Sequence, residues 1–258
     1  MGTYALVTGA SAGIGKELAH LFAKNGHGVV LVARREAELR KLADQLEATH
    51  KVPTRVHACD LAKSEARSGL FEATKDLEVE FLVNNAGFGS NGKFWENDAA
   101  REVEMVDLNV TALTHLTRHY LPGMVARGRG RVLNIGSTAG FQPGPYMATY
   151  YATKAYVNSL TEALAYELRG TGVTATASCP GPVATEFAAI AGNDKTALFE
   201  RAKGVATPEW IAKEAYAAMF KGTPVAVHGT QYKVSAALVG FSPRSMILSI
   251  AAKLNRPA

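Results

Sequence analysis

The chain has 258 residues, 47% of them hydrophobic, with 28 lysines and arginines against 23 acids and a formal charge of +5. That length and apolar content suffice for one large domain with its own core, and no low-complexity linker, charge block or internal repeat divides it. The basic residues are scattered rather than run together, which argues against a nucleic-acid-binding arm. Cys59 and Cys179 each follow an expected strand; they exclude a disulfide framework and read as small buried thiols of a reducing compartment. The apolar run TYALVT begins at residue 3, leaving no room for a signal peptide. No stretch reaches the ~18–20 apolar residues of a bilayer span, so a cytoplasmic location is expected.

Short β-rich runs alternate with longer helical patterns. Strands are predicted at residues 3–8, 28–33, 54–59, 80–85, 130–136, 173–179 and 225–228, with helices near 14–25, 36–49, 63–77, 98–126, 150–169 and 208–220. Continuous Val/Leu/Ile runs mark strands covered on both faces, as parallel strands are. The alternation predicts an α/β, doubly wound Rossmann fold: a single domain with a seven-stranded, mostly parallel sheet and a C-terminal helical extension. Ligands of such sheets sit at the carboxyl ends of the strands. Gly9, Arg34, Asp60, Asn85, Ser137 and Pro180 all follow expected strands, which gathers them on one edge.

The first strand runs directly into TGASAGIG, residues 8–15. Gly9 permits a sharp strand-to-helix turn, Gly13 lets the backbone approach a pyrophosphate, and Gly15 allows close helix–sheet packing; Ser11 and Ile14 share the turn. The free N–H groups of the helix start then receive phosphate. The second strand ends at Ala33, which offers no carboxylate for the ribose 2′-hydroxyl of NAD. Arg34 and Arg35 follow instead, suited to the 2′-phosphate of NADP(H) and unfavourable at a helix start without such a partner.

Tyr150 and Lys154 stand one helical turn apart, so phenol and ammonium share a face. A neighbouring cation lowers a phenol's pKa toward the working range, which makes Tyr150 a candidate general acid/base. Tyr151 points elsewhere around the helix and reads as a packing or pocket-wall residue. His115 and His119 have a metal-binding spacing, but no third ligand accompanies them and no metal is expected.

These motifs together resemble the short-chain dehydrogenase/reductase superfamily over nearly all of residues 3–230. The resemblance implies that Asp60 and Leu61 contact adenine, that Asn85, Ala86 and Gly87 (in NNAG) close one side of the nucleotide site, and that Asn109 is the helix-borne catalytic asparagine. Ser137 precedes Tyr150 by the family's usual separation. Pro180, Gly181, Val183 and Thr185, in PGPVAT, are similar to the loop over the nicotinamide. One departure is Ala12, where NADP-preferring relatives often carry a basic residue. By resemblance, hydride passes from NADPH to a carbonyl carbon, Ser137 binds the oxyanion, Tyr150 donates the proton, Lys154 holds the ribose hydroxyls, and Asn109 positions a water linking Lys154 to solvent. Pairing into a homodimer or homotetramer through the helices of Asn109 and Tyr150 is also implied.

Residues 1–230 are expected to form the catalytic domain, with a substrate lid at about 184–204. Phe88, Phe94, Trp95, Phe141, Tyr146, Met147, Phe187 and Phe199 lie on the variable segments; if they converge, they suit a small apolar carbonyl or alcohol substrate. Residues 231–258 form the extension, with Ile247, Ile250, Ala251 and Leu254 along one helical face. Docking onto the body or a neighbouring subunit is the leading reading, and peripheral membrane contact the second. The expected activity is NADP(H)-dependent oxidoreduction, with a non-catalytic NADP-binding regulatory protein as the alternative and a dehydratase or epimerase as a lesser one.

Overall fold

In the computed structural model the described residues are 2–193, 196–200 and 205–257, with the side chains of 199 and 200 excepted. The order is β1 (Tyr4–Thr8), α1 (Gly13–Lys24), β2 (Gly28–Ala33), α2 (Glu36–His50), β3 (Thr54–Ala58), α3 (Ser64–Thr74), β4 (Val79–Asn84), α4 (Ala99–Val106) and α5 (Leu113–Arg127). Then come β5 (Gly130–Ile135), α6 (Ala148–Glu167), β6 (Val173–Cys179), α7 (Phe187–Ala191), α8 (Ala197–Glu200), α9 (Pro208–Lys221), β7 (Val225–Val227), α10 (Thr230–Val239) and α11 (Arg244–Asn255). The strands form one seven-stranded sheet in the order β3-β2-β1-β4-β5-β6-β7. Every pairing is parallel, where the sequence led us to expect a mostly parallel sheet.

The pleat sends alternate side chains to opposite layers. Ala5, Val7, Val29 and Leu31 pack with Phe22, Leu39 and Met219 on one face. Leu6, Val30, Val32 and Leu82 pack with Leu70, Leu116 and Met124 on the other. β2 is therefore apolar throughout and β1 nearly so, while the outer strands β3 and β7 are only partly buried. The strand order reverses direction between β1 and β4, and the carboxyl ends of these strands flank the crevice where ligands of this fold bind.

Residues 98–126 were expected as one helix. Asp98 caps the start by accepting from Ala100 N at 3.0 Å, but α4 and α5 are separated by a π-helical segment, Asp107–Ala112. Such bulges insert a residue into the helical ladder and occur preferentially at functional sites. Here the extra residue turns Asn109 inward. Beneath it, Asn84 Nδ2 donates to Thr117 Oγ1 at 3.0 Å and Asn134 Oδ1 at 2.8 Å, and Asn134 Nδ2 donates to Thr161 Oγ1 at 2.8 Å. This buried polar chain fixes β4, β5, α5 and α6 relative to one another.

His228, just after β7, is buried with Nε2 2.8 Å from Ser178 Oγ. Burial, assisted by Lys233, lowers its pKa from 6.5 to about 4. Between those values the unfolded chain binds a proton that the folded chain refuses. The stability contributed is thus fully present above pH 6.5 and lost as pH falls toward 4. In chemical denaturation across that window, His228→Gln should lose less stability than the wild type, by up to ~1.4 kcal/mol per pH unit. Parallel pH curves for the two proteins would count against a neutral, buried His228.

Candidate active site

The crevice is a cleft of about 400 Å³ running from the glycine turn to the C-terminal helices. At one end Gly9 and Gly13 hold φ of 66° and 54°, the left-handed region that favours glycine. No side chain caps α1 and no acid occupies its first turn, so its N-terminal dipole and amides are directed at the cleft. The Thr8 hydroxyl accepts from the backbone N–H groups of Asn85 (2.9 Å) and Ala86 (3.0 Å), and Asn85 Nδ2 donates to Thr8 O at 2.8 Å. The two loops are thereby stitched together.

Gly9, Ser11, Gly13, Ile14, Arg35, Asn85, Ala86 and Gly87 border the cleft near this end. Pro180, Gly181, Val183 and Thr185 border it from the other side. The two arginines part company. Arg35 donates from Nε and Nη2 to Ser11 Oγ at 3.2 and 3.1 Å and pairs with Glu186 at 3.0 Å. Arg34 lies outside the cleft lining, exposed, with Glu104 3.5 Å away. Asp60 also stands apart, its Oδ1 accepting from Ala62 N at 3.1 Å. Leu61 is buried in the core and Gly15 lies under the turn, packed against Asn85 and Gly9 O.

Ser137, Tyr150 and Lys154 line the middle of the cleft. Ser137 follows β5 and caps a short 3₁₀ turn, Thr138–Phe141, by accepting from Ala139 N at 3.1 Å. Lys154 is buried, and its Nζ donates to Ile135 O at 2.6 Å. Its ammonium lies 5.8 Å from the Tyr150 ring centre. Burial lowers the Lys154 pKa from 10.5 to about 8. The phenol moves opposite to the sequence expectation: burial pushes Tyr150 well up, with the Ser137 hydroxyl opposing and Tyr151 adding to the rise. Tyr150 is partly open to the cleft yet hemmed in by protein, including the Phe187 ring at 5.1 Å, and a phenolate there would be poorly solvated.

Asn109, 2% exposed, reaches this group indirectly. Its Oδ1 accepts from Phe88 N at 3.2 Å, and its Nδ2 donates to Phe88 O at 2.9 Å and Thr153 Oγ1 at 3.1 Å. It clamps the residue after Gly87 to the residue before Lys154. Both thiols are pushed up by burial, Cys59 to about 11 and Cys179 to about 12. His115 Nδ1 accepts from Arg67 Nε at 3.1 Å, and His119 stacks on Phe71 at 3.7 Å.

The far end of the cleft is apolar, though not by the residues expected. Phe88, Met147 and Phe187 line it. Phe94 and Trp95 project outward, 62% and 78% exposed, and Phe141 and Tyr146 are not part of the wall. The side chain of Phe199 lies outside what is described, as do residues 194, 195 and 201–204 of the expected lid. The wall is completed by Tyr232, Ala236 and Val239 of α10 and Leu254 of α11, which sequence reasoning missed. The available signal was their spacing: Tyr232, Ala236 and Val239 fall on one helical face. Ile247 and Ala251 are buried, whereas Ile250 is 52% exposed, so the inward stripe of α11 excludes it. Asn255, fully buried, donates from Nδ2 to Pro145 O (3.2 Å) and Tyr151 Oη (3.1 Å), and its carbonyl accepts from Asn91 Nδ2 at 2.7 Å.

A doubly wound parallel sheet with a serine, tyrosine and lysine around one cleft beside a glycine turn defines a dehydrogenase class. The chain belongs to the short chain dehydrogenase family, whose sequence profile matches residues 3–196. It is similar to a very-long-chain 3-oxoacyl-CoA reductase of Coprinopsis cinerea, 41% identical over 176 residues, 67% of this chain and 52% of that protein. The matched segment thus spans about half that relative's length. The fold matches a 7beta-hydroxysteroid dehydrogenase with a TM-score of 0.88 and 28% identity, over 97% of this chain and 96% of the other. It matches a short-chain dehydrogenase from Sphingobium yanoikuyae in complex with NADPH with a TM-score of 0.82 and 31% identity, over 93% and 94%. Among the described residues, no helix is long and apolar enough to cross a membrane.

The Asn255 bonds anchor the end of the tail beside Tyr151. Asn255→Ala would leave the Tyr151 hydroxyl and Pro145 carbonyl without that partner, at a cost of ~1–3 kcal/mol. Thermal unfolding should then shift down by roughly 2–4 °C per kcal/mol for a chain this size. An unchanged melting temperature would show that the tail is held by something else.

Proposed function

We propose that this chain is an NADP(H)-dependent oxidoreductase of carbonyl reductase or alcohol dehydrogenase type, interconverting a carbonyl and an alcohol on an apolar substrate. The observation that carries the reading is that Ser137, Tyr150 and Lys154 border one cleft, with a phosphate-suited glycine turn at one end and an apolar wall at the other. The uncapped start of α1 fits a pyrophosphate. Arg35, already joined to the Ser11 hydroxyl, fits a 2′-phosphate, for which the Glu186 carboxylate now stands in as anionic partner. Arg34 adds a second, outlying cation. Asp60 and Leu61 would border the adenine, Asn85, Ala86 and Gly87 one side of the dinucleotide, and Pro180, Gly181, Val183 and Thr185 the other.

When bound, the nicotinamide supplies or takes up the hydride. The protein's own groups manage the oxygen and its proton. Ser137 Oγ donates a hydrogen bond to the carbonyl oxygen as negative charge develops there. Tyr150, kept protonated by its raised pKa, delivers its proton to that oxygen in the reductive direction and recovers one afterwards. Lys154 offers donors to the ribose hydroxyls and lowers the cost of a transient phenolate. The pKa of about 8 keeps it mostly charged at neutral pH. Asn109 positions Phe88 and Thr153, and its oxygen has a second lone pair for the water that links Lys154 to solvent.

The apolar wall supports a substrate with an extended hydrophobic body, as do the neighbours named for very-long-chain 3-oxoacyl-CoA and 7beta-hydroxysteroid. The buried Asn193 adds a polar point there: its Oδ1 has no partner among the described residues and suits a substrate hydroxyl. The segment at about 184–204 acts as the lid, with α7 and α8 as its described helical parts. Residues 1–230 form the catalytic domain and 231–258 the extension that closes its substrate end. Two or four copies pair through α4, α5 and α6, where Val103, Val106, Val125 and Tyr156 are exposed. The enzyme works in the cytoplasm.

Loss of NADPH absorbance across a panel of hydrophobic ketones and aldehydes tests the reading. Tyr150→Phe should lower kcat by ~10²- to 10⁴-fold while leaving NADPH binding intact. Tight NADPH binding with no turnover on any carbonyl would favour a regulatory nucleotide-binding protein instead. Arg35→Ala should reduce kcat/KM for NADPH by roughly 10- to 100-fold, with little change for NADH and a smaller loss from Arg34→Ala. Equal losses with both nucleotides would reject Arg35 as the 2′-phosphate residue.

A further inference from the structure

The two C-terminal helices present different faces inward and outward. Tyr232, Ala236 and Val239 of α10 line the cleft. On the opposite side of the same helix, Val234 and Leu238 are 53% and 55% exposed, and Phe241, at the turn into α11, is 89% exposed. In α11, Ile247 and Ala251 are buried, while Met246 and Ile250 are 47% and 52% exposed. The two helices therefore expose apolar side chains on their outer sides, with an almost bare phenylalanine at the turn that joins them. A single exposed apolar side chain is ordinary, but these five within residues 234–250 are not.

Charge identifies the occupant. No Asp or Glu follows Glu214, whereas Lys221, Lys233, Arg244, Lys253 and Arg256 do. Without these five, the remaining 23 basic residues equal the 23 acidic ones, so the whole formal charge of +5 resides in the last segment. Lys233, Arg244, Lys253 and Arg256 are all exposed on or beside the hairpin. A second copy of this tail would meet it with like charge. An anionic lipid surface offers both what the apolar side chains and what the cations require. The neighbouring loop agrees: residues 91–93, 96 and 97 share a surface depression with Arg256 and Pro257, and this loop exposes Phe94 and Trp95, an aromatic pair of the kind enriched at membrane interfaces.

We propose that the α10–α11 hairpin docks this protein peripherally on an anionic phospholipid bilayer, with Leu238, Phe241, Met246 and Ile250 entering the interface and Lys233, Arg244, Lys253 and Arg256 meeting lipid phosphates. The inner faces of the same helices wall the cleft, so docking brings its apolar end toward the lipid. Neither turnover nor the identity of the substrate enters this assignment.

Sedimentation of the full chain with vesicles, without cofactor or substrate, tests it. The protein should pellet with phosphatidylcholine vesicles containing phosphatidylglycerol, stay in solution with phosphatidylcholine alone, and be released by raised salt. The double variant Leu238→Asp/Phe241→Asp should partition at least ~10-fold less, with an unchanged melting curve and unchanged NADPH binding. Arg244→Glu/Lys253→Glu, which leaves the apolar face intact, should lose about fivefold or more per residue. The proposal is overturned if the wild type stays in the supernatant with anionic vesicles or if the double variant pellets equally well. It is also overturned if, with no vesicle binding, the double variant's only change is a lower mass in sedimentation equilibrium, since a second copy would then be what covers the face.

Discussion

The bond between Lys154 Nζ and Ile135 O, at 2.6 Å, is the constraint around which the middle of the cleft is arranged. Burying an ammonium costs several kcal/mol unless oxygen acceptors surround it. The acceptor here is a carbonyl at the very end of β5, so α6 must cross the sheet edge at that height and in that rotation. Once it does, Tyr150, one turn earlier, stands over the cleft, and Thr153 meets Asn109 from the π-helical turn. The polar chain through Asn84, Asn134 and Thr161 holds the same strands and helix from below. Loosening β5 against α6 would therefore displace the phenol, the ammonium and the serine together.

Burial gives that arrangement a particular electrostatic character. It makes the ammonium easier to deprotonate and the phenol harder, because both charged forms lack solvent. The tyrosine stays protonated but is a weaker acid than a free phenol, and an anionic ligand laid against Lys154 would favour the ammonium. Sequence reasoning expected the cation to pull the phenol's pKa down because it saw two side chains on one helical face. It could not see that the cation is spent on a backbone carbonyl 19 residues earlier in the chain.

The alternation of apolar runs and amphipathic segments made the seven strands and most helices legible, since a strand covered on both faces has little choice but Val, Leu and Ile. Tyr150, Lys154 and the glycine turn were legible as local patterns whose spacing is set by one helix or one turn, and Ser137 only by its family-like separation from Tyr150. What stayed hidden depends on the third dimension. The split between Arg34 and Arg35 is decided by which guanidinium the chain turns toward Ser11 and Glu186. Within the break in the expected 98–126 helix, Asn109 bonds to Phe88 and Thr153, partners 21 and 44 residues away in the chain. Aromatic content misled at Phe94 and Trp95, because a loop rich in aromatics can as well present them to the exterior as to a cleft. The tail was read as an amphipathic appendage, and the docked position of α11 follows from Asn255, a polar residue at a place where an apolar pattern draws attention elsewhere.

The two ends of the cleft are accordingly built by different rules. The nucleotide end is backbone: positive-φ glycines, a helix start and loop amides, with the Arg35 guanidinium at its rim. Its geometry is fixed by strands that are buried on both faces, and side-chain changes there have little room. The apolar end is made of side chains, Phe88 and Met147 from the body and the others from late in the chain, carried by a short loop helix and the two C-terminal helices. Few of its contacts are shared with the sheet, so its size and shape can vary without disturbing the nucleotide end. That division leaves the apolar end free to differ while the fold and the nucleotide end stay the same. It also makes the hairpin the part of this molecule where cleft shape and surface character are set by the same two helices. A residue exchanged on its inner face alters what fits, and one exchanged on its outer face alters what the protein meets.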